Sequence, residues 1–170
     1  MFKISYVPVD NAEGAIADAY SQFPEAFGIP APLQLMSASP GMFKCQMALI
    51  DYFSREAGFD FAIPAAIRYM AACHFKADAC VEFNAKLLAA AGLGDDELET
   101  LSSDPDNGPF EERENRLIAF VKKVVEGRDV SEEEVETLRS LGWTDANIYD
   151  ACSQGTFMAG AGLMMNAFSK

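Results

Sequence analysis

Residues 116–150 read RLIAFVKKVVEGRDVSEEEVETLRSLGWTDANIYD, and the helix pattern of this stretch decides the fold class. Its first part belongs to a segment from Phe110 to Glu126 that ends before Gly127, a residue that commonly stops helices. Apolar residues recur through this segment at the spacing of one helix face: Leu117, Phe120, Val121, Val124 and Val125. The segment is therefore predicted to be an amphipathic helix.

Two more helices follow from the same stretch. Ser131 and Glu134 have the spacing of a capping box, and Gly142 is placed to stop the short helix that they begin. Thr144 or Asp145 can then cap a long final helix that continues almost to the end of the chain. Three successive helices predict an all-α fold.

The N-terminal third continues this pattern after an extended start. Val7-Pro8-Val9 disfavours helix, so residues 1–9 are predicted to form an extended arm. Asp10-Asn11 is expected to cap a first helix over 11–23. Residues 23–32 contain three prolines and a glycine among apolar residues, which is typical of an ordered, packed connection.

The middle of the chain is predicted to hold the centre of the molecule. Ser39-Pro40 begins a second helix that runs to Gly58, and Pro64 begins a pair of helices that ends at Gly92. A short acidic helix over 95–101 and a turn-rich loop over 103–109 complete the path. Residues 1–170 are predicted to form one domain.

Composition excludes several classes of function. A formal net charge of -13 repels phosphate backbones and anionic lipids, so neither nucleic acid nor a membrane is expected as a partner. No apolar run reaches the roughly 20 residues of a membrane span, and the first residues lack the apolar core of a signal peptide. The sequence predicts a cytoplasmic protein.

The order of these helices resembles the alkylhydroperoxidase D-like and carboxymuconolactone decarboxylase superfamily. Residues 116–150 are similar to the end of that family's chain, and Val7-Pro8-Val9-Asp10 with Ser37-Ala38-Ser39-Pro40 is similar to the opening of its peroxidase-related branch. The resemblance covers most of the chain. It implies a single-domain helical bundle that forms a homo-oligomer, commonly a trimer or a hexamer.

The family's chemical signature is Cys-x-x-Cys, three further residues and a histidine, with a glutamate about three turns upstream. Here residues 77–84 read ADACVEFN. Cys80 matches the second cysteine, whereas Ala77, Asn84 and Ala65 stand at the positions of the first cysteine, the histidine and the glutamate. The resemblance implies a peroxidase-related, thiol-dependent redox function centred on Cys80, with an incomplete motif.

Cys80 is the first candidate catalytic residue. If Asp78 caps the helix, the thiol lies in the first turn, where the helix dipole lowers the pKa and favours the reactive thiolate. Turnover with peroxide needs a resolving thiol, for which Cys73 is the nearby candidate. On a straight helix these α-carbons lie about 10 Å apart, so a disulfide needs a bend between them. The alternative is a buried cysteine that packs as a hydrophobic residue.

His74 is the third candidate, because it is the one histidine of the sequence and Asp78 follows four residues later. On a continuous helix the pair offers a base and an orienting carboxylate, and the alternative is a packed histidine without a catalytic role. The spacing of Cys73, His74, Asp78 and Cys80 matches no standard zinc pattern. No metal and no cofactor are predicted.

Three functions stay open at this point. The first is a peroxidase-type oxidoreductase that uses Cys80. The second is a decarboxylase-type enzyme for a small acidic lactone, which needs basic groups to hold carboxylates, and four residues near the centre qualify: Arg68, His74, Lys76 and Lys86. The third is a non-catalytic oligomeric or small-molecule-binding protein on the same scaffold.

Overall fold

The chain is described by a computed structural model over residues 1–55 and 58–170. These residues form nine α-helices and no β-sheet, with the following bounds: α1 Gly14–Tyr20, α2 Ala31–Met36, α3 Pro40–Arg55, α4 Ala62–His74, α5 Asp78–Ala90, α6 Asp95–Ser103, α7 Glu112–Val125, α8 Glu132–Ser140 and α9 Asp145–Phe168. None of these helices combines the length and hydrophobicity that a membrane crossing requires. The predicted all-α fold is confirmed.

Helix α4 is the centre of the bundle. It packs against α5, α6, α7 and α9, and its residues are buried on every face from Ile63 to Ala72, with Arg68 as the exception. A helix with apolar residues all round is stable only when other helices cover all of its sides. The prediction that this segment forms the centre of the molecule is confirmed.

A tight turn over residues 75–77 joins α4 to α5. The amide of Ala77 donates to the Ala72 carbonyl at 3.0 Å, and the amide of Lys76 donates to the Cys73 carbonyl at 3.1 Å. This is a Schellman motif, in which the residue after the cap adopts a left-handed conformation. Lys76 occupies that position with φ 51°, and it is the one non-glycine residue with positive φ in the described part of the chain. The sequence left open whether the helix continues from His74 to Asp78, and the structure has a break there.

Helix α9 approaches the core closely through its small residues. A Cβ atom added to Gly155 would lie 2.6 Å from Cγ1 of Val121 and 2.9 Å from Cγ2 of Val125. One added to Gly162 would lie 3.2 Å from Cβ of Ala77, at the α4–α5 turn. The small residues therefore let α9 press against both α7 and the turn that precedes Cys80.

The N-terminal arm joins the two ends of the chain. Phe2 forms an antiparallel bridge with Ser169, and the amide of Lys3 donates to the Phe168 carbonyl at 2.8 Å. The amide of Val7 donates to Oγ of Ser37 at 2.7 Å, which attaches the arm to the end of α2. The arm becomes a short 3-10 turn at Val9–Asn11.

Two predictions for the N-terminal region are wrong in detail. The first helix spans Gly14–Tyr20 rather than 11–23, and no side chain caps it, because Asp10-Asn11 belongs to the 3-10 turn. The connection over 23–32 is packed as predicted, but it leads into helix α2, which the sequence pattern did not indicate. Helix α2 is only six residues long, so its own periodicity is too short to recognise.

The predicted caps in the C-terminal half are confirmed. The amide of Glu134 donates to Oγ of Ser131, and the carboxylate of Glu134 accepts from the amide of Ser131. Thr144, rather than Asp145, is the N-cap of α9. The second helix was predicted to run to Gly58, and the last part of that range, residues 56–57, lies outside the described residues.

We predict opposite effects for alanine at two glycines of α9. Gly155→Ala lowers the free energy of unfolding by about 1–3 kcal/mol, since the methyl group overlaps two valines of α7. Gly160→Ala is the matched control, because no atom lies within 4 Å of its added Cβ, and it raises stability by up to about 1 kcal/mol through helix propensity. Urea denaturation measures both, and equal effects would contradict the close approach of α7 and α9.

Candidate functional site

A cavity of about 530 Å³ lies between α2, α3, α4, α5 and α9. The connection that precedes α2 closes one side of it through Phe23, Pro24, Phe27 and Pro30. Most of the remaining wall is apolar, and seven phenylalanines contribute to it: Phe23, Phe27, Phe53, Phe59, Phe61, Phe83 and Phe157. This size and this lining are typical of sites for small organic molecules.

One part of the cavity wall is polar. Nε of Arg68, on α4, donates to Oδ1 of Asn84, on α5, at 2.9 Å. Nη1 of Arg68 donates to Oε1 of Gln154, on α9, at the long distance of 3.5 Å. Nδ2 of Asn84 donates to the Cys80 carbonyl at 2.9 Å. Three helices therefore bring one cation, two amides and one thiol to the same cavity.

Arg68 is the charged residue of this cavity. Among the described residues that line it there is no aspartate, glutamate, lysine or histidine, and no ion pair of the described residues includes Arg68. Burial lowers the pKa of its guanidinium to about 10, because desolvation disfavours the charged form. The group still carries its proton at neutral pH.

Cys80 lines the same cavity, but its thiol is almost completely buried, with 2% of the residue exposed. It packs with Phe2, Leu35 and Met165 in a small apolar cluster. Burial raises the pKa of this thiol to about 11. The prediction of a lowered pKa is therefore wrong, because loss of water outweighs the helix dipole.

The expected cap of α5 is also different. Ala77 is the N-cap residue and Asp78 is the first residue of the helix, so no side chain caps α5. Cys80 does lie in the first turn as predicted, and its amide donates to the Ala77 carbonyl at 2.8 Å. That amide is consequently satisfied by the backbone and is not free to stabilise a thiolate.

Cys73 lies on another side of α4 and does not line the cavity. It is partly buried against the main core, whereas Cys80 belongs to the smaller cluster, and both are free thiols. Burial raises the pKa of Cys73, and a hydrogen bond with the Tyr69 side chain partly offsets this effect. The turn over residues 75–77 supplies the bend that a Cys73 to Cys80 disulfide needs, yet the structure contains no such bond.

His74 is exposed at the end of α4 and does not line the cavity. Its ring contacts Phe75 edge to face, with centroids 4.9 Å apart. The turn interrupts the helix between His74 and Asp78, and no ion pair joins them among the described residues. Of the three predicted catalytic residues, the cavity contains only Cys80, and the catalytic roles of all three stay predictions.

The other predicted groups are similarly separated. Of the four basic candidates for binding a carboxylate, Arg68 lines the cavity, while Lys76 and Lys86 do not. Ala65 is completely buried in the main core, and Ala77 is buried beside Cys80. These two alanines have packing roles at the motif positions where the resemblance expected a glutamate and a cysteine.

No metal site is found in the described part of the chain, where no three histidine, cysteine, aspartate or glutamate side chains converge. A larger surface cavity of about 890 Å³ lies between α6, α7 and α8. Its cations already have partners there, since Arg116 pairs with Asp106, Lys123 pairs with Glu134, and Lys122 donates to backbone carbonyls. The cavity around Arg68 is therefore the stronger candidate site.

Comparison with known proteins identifies the fold. No protein-family model matches the sequence, and no curated protein matches it. The structure is similar to an uncharacterized peroxidase-related protein from Ralstonia eutropha JMP134, described as an alkylhydroperoxidase AhpD core, with a TM-score of 0.82 over 98% of this chain and 90% of that one. The two sequences are 16% identical. The chain has the alkylhydroperoxidase D-like fold.

Two further solved structures agree with this assignment. An uncharacterized peroxidase-related protein from Silicibacter sp. TM1040 has a TM-score of 0.73 at 18% identity, over 95% of this chain and 86% of that one. A protein of unknown function from Agrobacterium tumefaciens, proposed to be an antioxidant defence protein AhpD, has a TM-score of 0.63 at 24% identity, over 78% of this chain and 92% of that one. The resemblance predicted from sequence therefore holds for the fold.

The sequence pattern did not reveal the polar cluster of this alkylhydroperoxidase D-like chain. One signal was available, because Arg68 is the single charged residue between Ala62 and Cys73 in an otherwise apolar helix. A charge in such a helix needs a polar environment inside the protein. The distant partner Gln154 had no comparable signal, since α9 also carries other polar residues such as Ser153 and Thr156.

We predict that Cys80 reacts slowly with alkylating agents. At pH 7.5 a thiol with a pKa of about 11 is ionised in a fraction on the order of 10⁻³ or less. Exposed Cys45 is expected to react well before Cys80 and Cys152. Burial raises the pKa of Cys152 to about 11 as well. A time course with iodoacetamide, followed by peptide mass spectrometry, measures the three rates. If Cys80 reacts as fast as Cys45, its thiolate is stabilised and the burial argument is wrong.

Proposed function

We propose that this chain binds a small, largely apolar organic molecule in the cavity between α2, α3, α4, α5 and α9. The observation that carries this proposal is the partly open cavity of about 530 Å³ with phenylalanine-rich walls and a polar group of Arg68, Asn84 and Gln154. Apolar walls supply affinity through burial of the ligand surface, and a few polar groups supply orientation. The same arrangement is compatible with a binding protein and with an enzyme.

Filling the cavity tests this proposal. Met158 lines the cavity from α9, so Met158→Trp is expected to weaken binding of the neutral dye Nile red by at least about tenfold. Met164→Trp is the matched control, because Met164 is exposed on the same helix and does not line the cavity. A fluorescence titration measures both affinities.

Two results of that titration would contradict the proposal. One is the absence of saturable dye binding by the wild-type protein. The other is equal binding by the wild type and Met158→Trp, with Met158→Trp shown to be folded by its thermal unfolding midpoint. Either result means that apolar molecules do not occupy this cavity.

A second candidate function is thiol-dependent reduction of an organic hydroperoxide. It is favoured by the position of Cys80 in the cavity wall and by the names of the structurally similar proteins. The sulfur attacks the terminal peroxide oxygen, the O–O bond breaks, and the alkoxide takes the thiol proton and leaves as an alcohol. Sulfur is oxidised to a sulfenic acid, and an external dithiol must return it to the thiol, because Cys73 packs in a different cluster.

Chemical trapping tests this second function. With cumene hydroperoxide and dimedone, peptide mass spectrometry is expected to find the sulfenic acid adduct on Cys80 in the wild type and in Cys45→Ser. Cys80→Ser is expected to lose this adduct and to consume no hydroperoxide in the presence of dithiothreitol. Absence of the adduct in the wild type, or equal consumption by Cys80→Ser, would exclude Cys80 as a peroxidatic thiol.

The homo-oligomer stays a prediction. It is supported by the exposed apolar side chains along α9, which include Tyr149, Leu163 and Met164. Exposed apolar groups concentrated on one helix are typical of surfaces that another protein subunit covers.

A further inference from the structure

The charge of Arg68 is not balanced inside the cavity. Its Nε has a partner in Asn84 and its Nη1 has a distant one in Gln154, and both partners are uncharged amides. Nη2 makes no hydrogen bond to a described residue, and it keeps some access to solvent. The outer edge of the guanidinium is therefore open toward the cavity.

Gln154 adds a second open donor beside Arg68. The residue is 5% exposed and lines the cavity, and its Oε1 accepts from Arg68. Its Nε2 has no hydrogen-bond partner among the described residues, and it too keeps some access to solvent. An amide N–H and a guanidinium edge next to each other can donate to the same pair of oxygen atoms.

Asn84 fixes the direction in which the guanidinium faces. It is 1% exposed, and it accepts from Nε of Arg68 while donating to the Cys80 carbonyl. This chain of bonds occupies the inner edge of the guanidinium and leaves the outer edge for a ligand. Asn84 is thus a positioning residue that acts through Arg68.

From this geometry we infer that the ligand is a monocarboxylic acid with an apolar body. Its carboxylate accepts hydrogen bonds from the Nη groups of Arg68 and from Nε2 of Gln154, while its aliphatic or aromatic body packs against the phenylalanines. A guanidinium matches a carboxylate in shape, and a single cation in an apolar cavity matches a single negative charge. The inference rests on the proposed function, because it names the class of molecule that the cavity binds.

A matched pair of ligands tests the carboxylate directly. At pH 8 the wild-type protein is expected to bind decanoate at least about tenfold more tightly than decan-1-ol, which has the same chain without the charge. Hexanoate, hexadecanoate and the pair of 2-naphthoate and 2-naphthol extend the test to other body sizes. Competition with bound Nile red measures all of these affinities.

Variants identify the residue that is responsible. Arg68→Met is expected to bind decanoate and decan-1-ol equally, whereas Arg68→Lys keeps part of the preference because it keeps the charge. Gln154→Leu reduces the preference without removing it. Arg116→Met is the control, since Arg116 pairs with Asp106 at the surface and does not line this cavity, so it keeps the wild-type preference.

The outcomes separate this inference from the proposed function. If the wild type binds decan-1-ol and 2-naphthol as tightly as the acids, the carboxylate inference is overturned and the apolar binding site stands. If none of these molecules displaces bound Nile red, the carboxylate inference is overturned and the apolar binding site stands. If the wild type shows no saturable binding of Nile red, both are overturned. If Arg68→Met fails to unfold cooperatively, the wild-type comparison, Arg68→Lys and Gln154→Leu still decide. A full wild-type preference in both Arg68→Lys and Gln154→Leu would show that the carboxylate does not bind at these two residues.

Discussion

The burial of helix α4 on all of its faces is the constraint on which the rest of the structure depends. Apolar residues surround this helix, so α5, α6, α7 and α9 must all pack against it. Arg68 is the one residue from Ile63 to Ala72 that is not fully buried, and its guanidinium has hydrogen-bond partners on α5 and α9 inside the bundle. The position of α4 therefore determines where Arg68 enters the cavity and which amides it contacts.

The turn over residues 75–77 connects this constraint to the thiol. Its Schellman hydrogen bonds orient α5, and Gly162 and Asn166 of α9 pack against it, with Nδ2 of Asn166 donating to the Phe75 carbonyl at 2.9 Å. Cys80 is consequently held against Phe2 and Met165 and is shielded from water. Ala77 is buried in the same cluster, where Gly162 of α9 comes close to it, and the burial of this cluster is what raises the pKa of Cys80.

Local sequence rules predicted much of the bundle, and they did so best where they act over a few residues. The capping box of α8 and the N-cap of α9 agree with the structure because each depends on side chains within one turn. The first helix and α2 were predicted less well, because short helices are stabilised mainly by packing. The pKa of Cys80 had the wrong sign because the helix dipole is visible in a sequence and desolvation is not.

The sequence by itself determined the helical class, the acidic surface, most helix boundaries and the presence of one charge in an apolar central helix. The tertiary structure alone decided which groups meet around that charge. Arg68 is 16 residues from Asn84 and 86 residues from Gln154, and no local pattern relates such distant positions. The cavity itself is the space that remains after five helices and a proline-rich connection have packed, so its shape and its polar end exist only when all of them are assembled.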